Sequence, residues 1–280
     1  MCCSVAPARF SRTTLYAAEV KVGEKVRHVM GYQNKAQDLS LKTMARPGGN
    51  AMILHLPAVP GTMTQANVIP TADCPNILQD MARAIMPPPT RGEMHSLSRT
   101  FGSARVEVFA SGIYTVVLAD DPRAIPGALD QVPEEKRPPL NTELFETYAK
   151  WFPDWPIALC CFNNQDAKLA TPMLWWYEPQ HPNFLFAPAL DAHTGAIPDL
   201  SEMVWVDHTL VVSSYRMYQG LGKTVGYTDP KTSLPRRYIL DRVTGRVFDG
   251  QMPNGDFVIP LHNVVEHGVC TPVRQLPPGA

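Results

Sequence analysis

The sequence has little charge, and its two signs cancel. Charged residues make up 18% of the 280 positions, below the roughly 25% of an average domain. There are 25 Lys plus Arg and 26 Asp plus Glu, which leaves a net charge of -1. Hydrophobic residues make up 45%, so the composition is not that of a disordered chain. Because a net charge near zero creates no overall positive potential that would attract polyanions, we expect no nucleic acid and no membrane among the partners.

Long apolar runs are also missing. The longest ones, 156–162 and 183–190, fall far short of the roughly 20 residues that a membrane-spanning helix needs. The first residues, MCCSVAPARFSRTT, contain no apolar segment of the kind found in secretory signals. The sequence therefore predicts a soluble protein with a cytoplasmic location.

Cysteines with metal-binding or redox spacing are absent. The 6 cysteines stand at positions 2, 3, 74, 160, 161 and 270, and no C-x-x-C occurs. Adjacent cysteines do not easily form a disulfide with each other, so we expect reduced thiols, as in a cytoplasmic protein. The 28 prolines outnumber the 18 glycines, which disfavours long helices and favours many pinned loops.

The patterns that are present predict an α+β fold. Alternating residues at 13–20 and 25–32 predict a hairpin that turns at Gly23. Segments 73–86 and 141–152 have apolar residues at helical spacing, and each starts with a polar residue. Since strands do not alternate regularly with helices, we expect mostly antiparallel β-sheet with two or three helices rather than a doubly wound fold.

The C-terminal part of the sequence predicts a β-meander. Three short segments, 238–242, 246–250 and 256–259, are separated by Thr244-Gly245 and Asn254-Gly255. Asn-Gly is the dipeptide that most readily adopts positive φ at both central positions of a type I′ turn. We therefore expect residues 254–255 to close a two-residue hairpin.

Residues 120–140 are rich in Pro, Asp, Glu and Lys and show no periodicity. This segment is expected to be a linker or a long excursion. It would divide the chain into an N-terminal α+β lobe, 1–119, and a C-terminal β-rich lobe, 141–280. The alternative is one continuous domain.

The first candidate site residue is Cys2. If Met1 is removed, the thiol can attack a carbonyl while the α-amino group of the same residue, with a pKa of about 8, serves as base. The dipeptide and the strand nearby are similar to those of N-terminal nucleophile hydrolases. The Arg, Asp and Asn signatures expected after the nucleophile in those families are absent, and Pro7 interrupts the strand. The alternatives are a frayed terminus with two incidental thiols and a lipid-modified terminus.

The second candidate site is a group of titratable residues in the apolar stretch 181–212. Asp191 and His193 are two residues apart, so an extended chain places the carboxylate and the imidazole on the same side. Strand alternation sends Asp207 and His208 to opposite faces, so only one of them can join His193. A carboxylate beside an imidazole fixes its tautomer and raises its basicity, in a catalytic relay or in a metal shell. The alternatives are an acid that caps a turn and a buried histidine bound to backbone.

These residues lead to three functional hypotheses. The leading one is a thiol- or His-dependent hydrolase that acts on an amide or ester in a small molecule or peptide. Its nucleophile is Cys2, its acid/base is His193 or His208, and its orienting group is Asp191 or Asp207. The second is a metal-binding protein that holds a divalent metal in the same stretch, although the spacing matches no standard ligand motif. The third is a non-catalytic interaction or structural protein. No cofactor is predicted.

Overall fold

The computed structural model describes residues 3–7, 9–37, 48–86, 106–164, 166, 171–230 and 235–280. Within these residues the strands are, in chain order, β1 (Cys3–Ser4), β2 (Arg9–Val22), β3 (Lys25–Gln37), β4 (Gly49–His55), β5 (Val68–Ile69), β6 (Val106–Ser111), β7 (Tyr114–Ala119), β8 (Ile157–Asn163), β9 (Met173–Tyr177), β10 (Phe184–Ala187), β11 (Met203–Val206), β12 (His208–Ser214), β13 (Lys223–Thr224), β14 (Arg242–Val247), β15 (Gly250–Pro253), β16 (Asp256–Pro260) and β17 (Val273–Gln275). The helices are α1 (Ile77–Ile85), α2 (Ile125–Ala128), α3 (Thr142–Trp151) and α4 (Leu261–His267). Short 3₁₀ turns occur at Gln65–Asn67, Pro122–Ala124, Leu129–Gln131 and Glu134–Lys136.

Two large sheets form the body of the fold. The seven-stranded sheet has the order β13-β14-β12-β2-β3-β9-β5, and the five-stranded sheet has the order β1-β4-β8-β7-β6. Smaller sheets have the orders β10-β16-β17 and β11-β15. Strands β12 and β2 run parallel, whereas the other pairs of the two large sheets are antiparallel. The prediction of an α+β fold with mostly antiparallel strands is confirmed.

The main core lies between the two large sheets. Leu15 of β2 belongs to the same buried cluster as Met52 of β4. The other face of β2 is buried as well, because Tyr16 packs in one cluster with Leu78 of α1. Since both faces of β2 are covered, its central residues are apolar without a polar alternation. The hairpin between β2 and β3 turns at Gly23, which has a φ of 61°, as predicted.

The two helices predicted from spacing are confirmed with small shifts. Helix α3 follows Asn141, whose Oδ1 accepts a hydrogen bond from Leu144 N at 3.1 Å. Helix α1 begins at Ile77, and the backbone N–H of Asn76 donates to Asp229 Oδ2 at 3.0 Å. Helix α4 has no side-chain cap and starts directly after β16, so the sequence offers no start signal for it. In the described part of the chain no helix has the length and hydropathy to cross a membrane.

The segment 120–140 contains α2 and three short 3₁₀ turns. Its apolar residues pack on the outer face of the five-stranded sheet, where Ile125 and Val132 share a cluster with Val117 of β7. Strands from the two sides of this segment pair with each other, as in β4 with β8, β3 with β9 and β2 with β12. These pairs fit the alternative of one continuous domain, and the division into lobes stays a prediction.

The C-terminal strands are present, but they do not form the predicted meander. Strand β14 pairs with β12 and β13, β15 pairs with β11, and β16 pairs with β10 and β17. Asn254 is not among the positive-φ residues of the described chain, so a type I′ turn does not form there. Gly245, predicted to turn, instead lies within β14, where a Cβ would stand 2.3 Å from the backbone oxygen of Leu210. Residues 254–255 therefore connect two different sheets.

Candidate functional site

Asp191 lies in the loop after β10, and Asn254 holds its backbone on both sides. Asp191 N donates to Asn254 Oδ1 at 2.9 Å, and Asn254 Nδ2 donates to Asp191 O at 3.0 Å. The same Nδ2 donates to Asp199 O at 3.0 Å. Because Asn254 is itself buried, these bonds are shielded from water and fix the start of the loop.

The side chain of His193 meets the side chain of Asp191, as their spacing predicts. His193 Nε2 lies 2.6 Å from Asp191 Oδ1, with the imidazole 21% exposed and the carboxylate 7% exposed. The loop beyond is tied to helix α3, because Asn141 Nδ2 donates to Gly195 O at 2.7 Å. The arrangement places a partly accessible imidazole against a nearly buried carboxylate, which orients the ring.

The N-terminal strand runs beside this pair. Cys3 forms a parallel bridge with Ala192, and Ser4 N donates to Ala192 O at 2.9 Å. Gly195, with a φ of 81°, packs so closely on the same strand that a Cβ would stand 2.4 Å from Val5 O. The predicted nucleophile, Cys2, lies outside the described residues. Cys3, the residue that follows Cys2 in the chain, thus pairs with Ala192, which lies between Asp191 and His193.

Asp207 and His208 have different surroundings. Asp207 lies between β11 and β12, where its Oδ2 accepts a hydrogen bond from Arg12 N at 2.8 Å. The strand breaks at this residue, so the two side chains are not sent to opposite faces as predicted, and Asp207 Oδ1 lies 3.8 Å from His208 Nδ1. The His208 side chain is 0% exposed, and its ring centroid lies 6.2 Å from that of Phe257. A substrate therefore has no direct route to this imidazole.

A third acid–imidazole pair, His55 with Asp256, was not predicted. His55 Nε2 and Asp256 Oδ2 are 2.8 Å apart, and both side chains are buried. Asp256 Oδ1 accepts hydrogen bonds from the backbone N–H groups of Ala189 and Leu190, at 2.7 and 3.0 Å. The partners are 201 positions apart, so no local spacing signals the pair. The only hint is a histidine at the end of an apolar strand.

Arg274 lies within electrostatic reach of both Asp256 and Asp191. Burial lowers the pKa of its guanidinium to about 10, and the charges of the two carboxylates act in the opposite direction. The guanidinium carbon lies 4.5 Å from the ring centroid of Phe257, and Arg274 Nε donates to Pro253 O at 2.9 Å. A cation thus partly balances the two acids near the loop.

The described cysteines are buried, and burial makes at least three of their thiols poorly reactive. Cys3, Cys74, Cys160, Cys161 and Cys270 are all buried. Burial raises the pKa of Cys74, of Cys161 and of Cys270 to about 12, with nearby aspartates adding to the effect at Cys74. These three groups stay protonated near neutral pH and are poor nucleophiles.

Among the residues that the structure describes, no group of three or more His, Cys, Asp or Glu side chains is arranged to hold a metal ion. Asp191 with His193, and Asp207 with His208, each bring two potential metal ligands together, a carboxylate and an imidazole. Nothing in these residues therefore adds support to the metal-binding hypothesis.

No protein-family model matches this chain. The search of functionally described proteins finds no match either. Among solved structures, the chain is similar to one titled "Crystal structure of baculovirus P35", with a TM-score of 0.38 and 11% sequence identity over 90% of this chain and 88% of that chain.

Proposed function

We propose that this protein carries out thiol chemistry on a carbonyl group, with Cys2 as nucleophile and His193 as acid/base. The observation that carries the proposal is the 2.6 Å contact between Asp191 and His193 beside the strand that continues from Cys2. The buried His208 takes no part in it. The substrate is an amide or ester of a small molecule or peptide.

The proposed reaction needs only groups of this chain and water. The thiol of Cys2 gives its proton to His193 as its sulfur attacks the carbonyl carbon. The new carbon–sulfur bond replaces the bond to the amine or alcohol, which leaves with the proton from the imidazolium. Water then attacks the thioester with the same proton shuttle and releases the acid. Asp191 orients the ring and stabilises its charged form throughout.

A cytoplasmic location is part of the same proposal. Cys74, Cys161 and Cys270 are free thiols, and the reaction requires a reduced thiol at Cys2. The test below therefore uses protein that has been kept reduced.

Alkylation of the native protein tests the proposal without a known substrate. Because the described cysteines are buried, a rapid reaction with iodoacetamide at pH 7 reports on Cys2. We expect one fast site, located at Cys2 by peptide mass, and its loss in Cys2→Ser. His193→Gln should slow this reaction by about tenfold, the effect of about one pKa unit on the thiolate fraction. The matched control is His181→Gln, an exposed histidine of the same stretch.

Two results would contradict the proposal. One is a Cys2 reaction rate that is equal in the parent and in His193→Gln. The other is a Cys2 reaction no faster than that of an unactivated thiol. A burst of p-nitrophenol from p-nitrophenyl acetate, lost in Cys2→Ser, extends the test from reactivity to acyl transfer.

A further inference from the structure

A pocket of about 340 Å³ lies between the end of α3, strand β10 and strand β16. Asp191 and His193 do not line it, so it is separate from the proposed thiol site. Pockets that bind small molecules commonly have volumes from about 300 to 1,000 Å³. The space is therefore large enough for a small ligand.

Four of the twelve residues that line the pocket are Phe or Trp, namely Phe152, Trp155, Phe184 and Phe186, and five others are aliphatic or proline. Trp155 and Phe186 meet edge to face, with ring centroids 5.2 Å apart and an interplanar angle of 87°. The ring centroids of Phe152 and Trp155 are 5.3 Å apart, with an interplanar angle of 39°. The three rings thus form one group of contacting aromatic side chains at the pocket, and such rings pair favourably with another aromatic ring.

The buried polar group of the pocket is already satisfied. Asp256 accepts hydrogen bonds from two backbone N–H groups and lies 2.8 Å from the imidazole nitrogen of His55. His55 in turn stacks on Phe152 at 4.1 Å, behind the aromatic wall. Because this carboxylate has its donors, the interior does not require a cationic ligand.

The remaining polar groups of the pocket belong to exposed residues. Gln275 and His181 line the pocket and are both exposed, and so is Phe184, which is 46% exposed. These residues mark the mouth. A polar substituent of a ligand would find hydrogen-bonding partners there, while its ring lies deeper among Phe152, Trp155 and Phe186.

We propose that this pocket binds a small uncharged aromatic compound of one or two fused rings, with its polar substituent at the mouth beside Gln275. The proposal does not rest on the thiol chemistry of Cys2. It assigns the His55–Asp256 pair a positioning role, in which Asp256 holds residues 189–190 and His55 supports the ring of Phe152.

Calorimetry on the full chain with indole as the probe tests the proposal. We expect saturable binding at one site, with a Kd of about 1 mM or lower, as suits a ligand of this size. Phe184→Ala should weaken binding about three- to tenfold, because the contact area that Phe184 offers the ligand at the mouth is lost. Val258→Trp should abolish binding, because Val258 lines the pocket and a larger side chain fills it. The control Trp205→Ala removes an aromatic residue that is 56% exposed in β11, outside the pocket, and should leave the Kd unchanged.

Comparison probes decide the ligand class. Cyclohexanol that binds as tightly as indole would overturn the preference for an aromatic ring, and benzyltrimethylammonium that binds more tightly would overturn the preference for an uncharged one. Absence of saturable indole binding, or equal binding by a folded Val258→Trp, would overturn the site itself. Thermal unfolding of each variant verifies the fold. Phe184 is half exposed, so Phe184→Ala keeps the test decisive if Val258→Trp does not fold.

Discussion

The side chain of Asn254, which lies between β15 and β16, hydrogen-bonds to both backbone groups of Asp191 in the loop after β10. Its Oδ1 accepts from Asp191 N at 2.9 Å and its Nδ2 donates to Asp191 O at 3.0 Å. A carboxamide is the side chain that can mimic a peptide group in this way, with a donor and an acceptor side by side. The loop that carries His193 is thereby fixed by a residue 63 positions further along the chain.

Replacement of Asn254 by Ala should destabilise the protein. Asp191 N, Asp191 O and Asp199 O all lose a partner, and the residue is buried. We expect a loss of about 3 kcal/mol in the free energy of unfolding, measured by urea denaturation. The matched control is Asn263→Ala, which removes an exposed hydrogen bond from Asn263 Nδ2 to Thr271 Oγ1. For this variant the loss in the free energy of unfolding should stay within about 0.5 kcal/mol. Equal losses in the two variants would contradict a stabilising role for the hydrogen bonds of Asn254 to Asp191 and Asp199.

Gly255→Val should also destabilise, although not because of a hairpin turn. Gly255 has a φ of 156°, and a Cβ at this position would stand 2.7 Å from the backbone oxygen of Gln275 in β17. Since that oxygen belongs to a paired strand, it has little freedom to move. We expect a loss of about 1 kcal/mol or more in thermal unfolding experiments. Gly250→Val is the matched control, because the space around Gly250 is open. An unchanged melting temperature in Gly255→Val would contradict this placement.

Local sequence patterns predicted much of the fold. The capping residue Asn141 and the apolar spacing after it mark α3, and Gly23 marks the hairpin of β2 and β3. The two-residue spacing of Asp191 and His193 likewise predicted their contact. In each case the interaction lies within a few residues, so the pattern and the structure report the same forces.

The features that the sequence did not reveal depend on distant partners. Asn254-Gly255 has the composition of a turn, but the buried bonds of Asn254 to Asp191 outweigh the local preference. The pairing of β14, β15 and β16 with three different sheets follows from which other strands arrive beside them. His55 and Asp256 meet only because β4 and β16 are brought together by the whole fold.

Alanine substitution should separate His193 from His208 by stability. The His193 imidazole is 21% exposed in a loop, whereas the His208 side chain is 0% exposed within β12. We expect His193→Ala to change the free energy of unfolding by about 0.5 kcal/mol. His208→Ala leaves a buried cavity and an unpaired neighbour, and should cost about 1–3 kcal/mol or more. A larger loss for His193→Ala than for His208→Ala, in matched urea titrations, would show that His193 is a structural residue.

Acid should destabilise the protein through His28, which is buried in β3 with its ring edge-on to Tyr177. Burial lowers the pKa of His28 from 6.5 to about 4, and the charge of Glu19 offsets part of that shift. Between these values the unfolded chain binds a proton that the folded chain does not, so stability falls as the pH drops from about 6.5 to about 4. The shift corresponds to about 3 kcal/mol. In His28→Gln this component of the pH dependence should disappear from urea titrations at pH 4 to 7. Parallel curves for the variant and the parent would exclude His28 as its source.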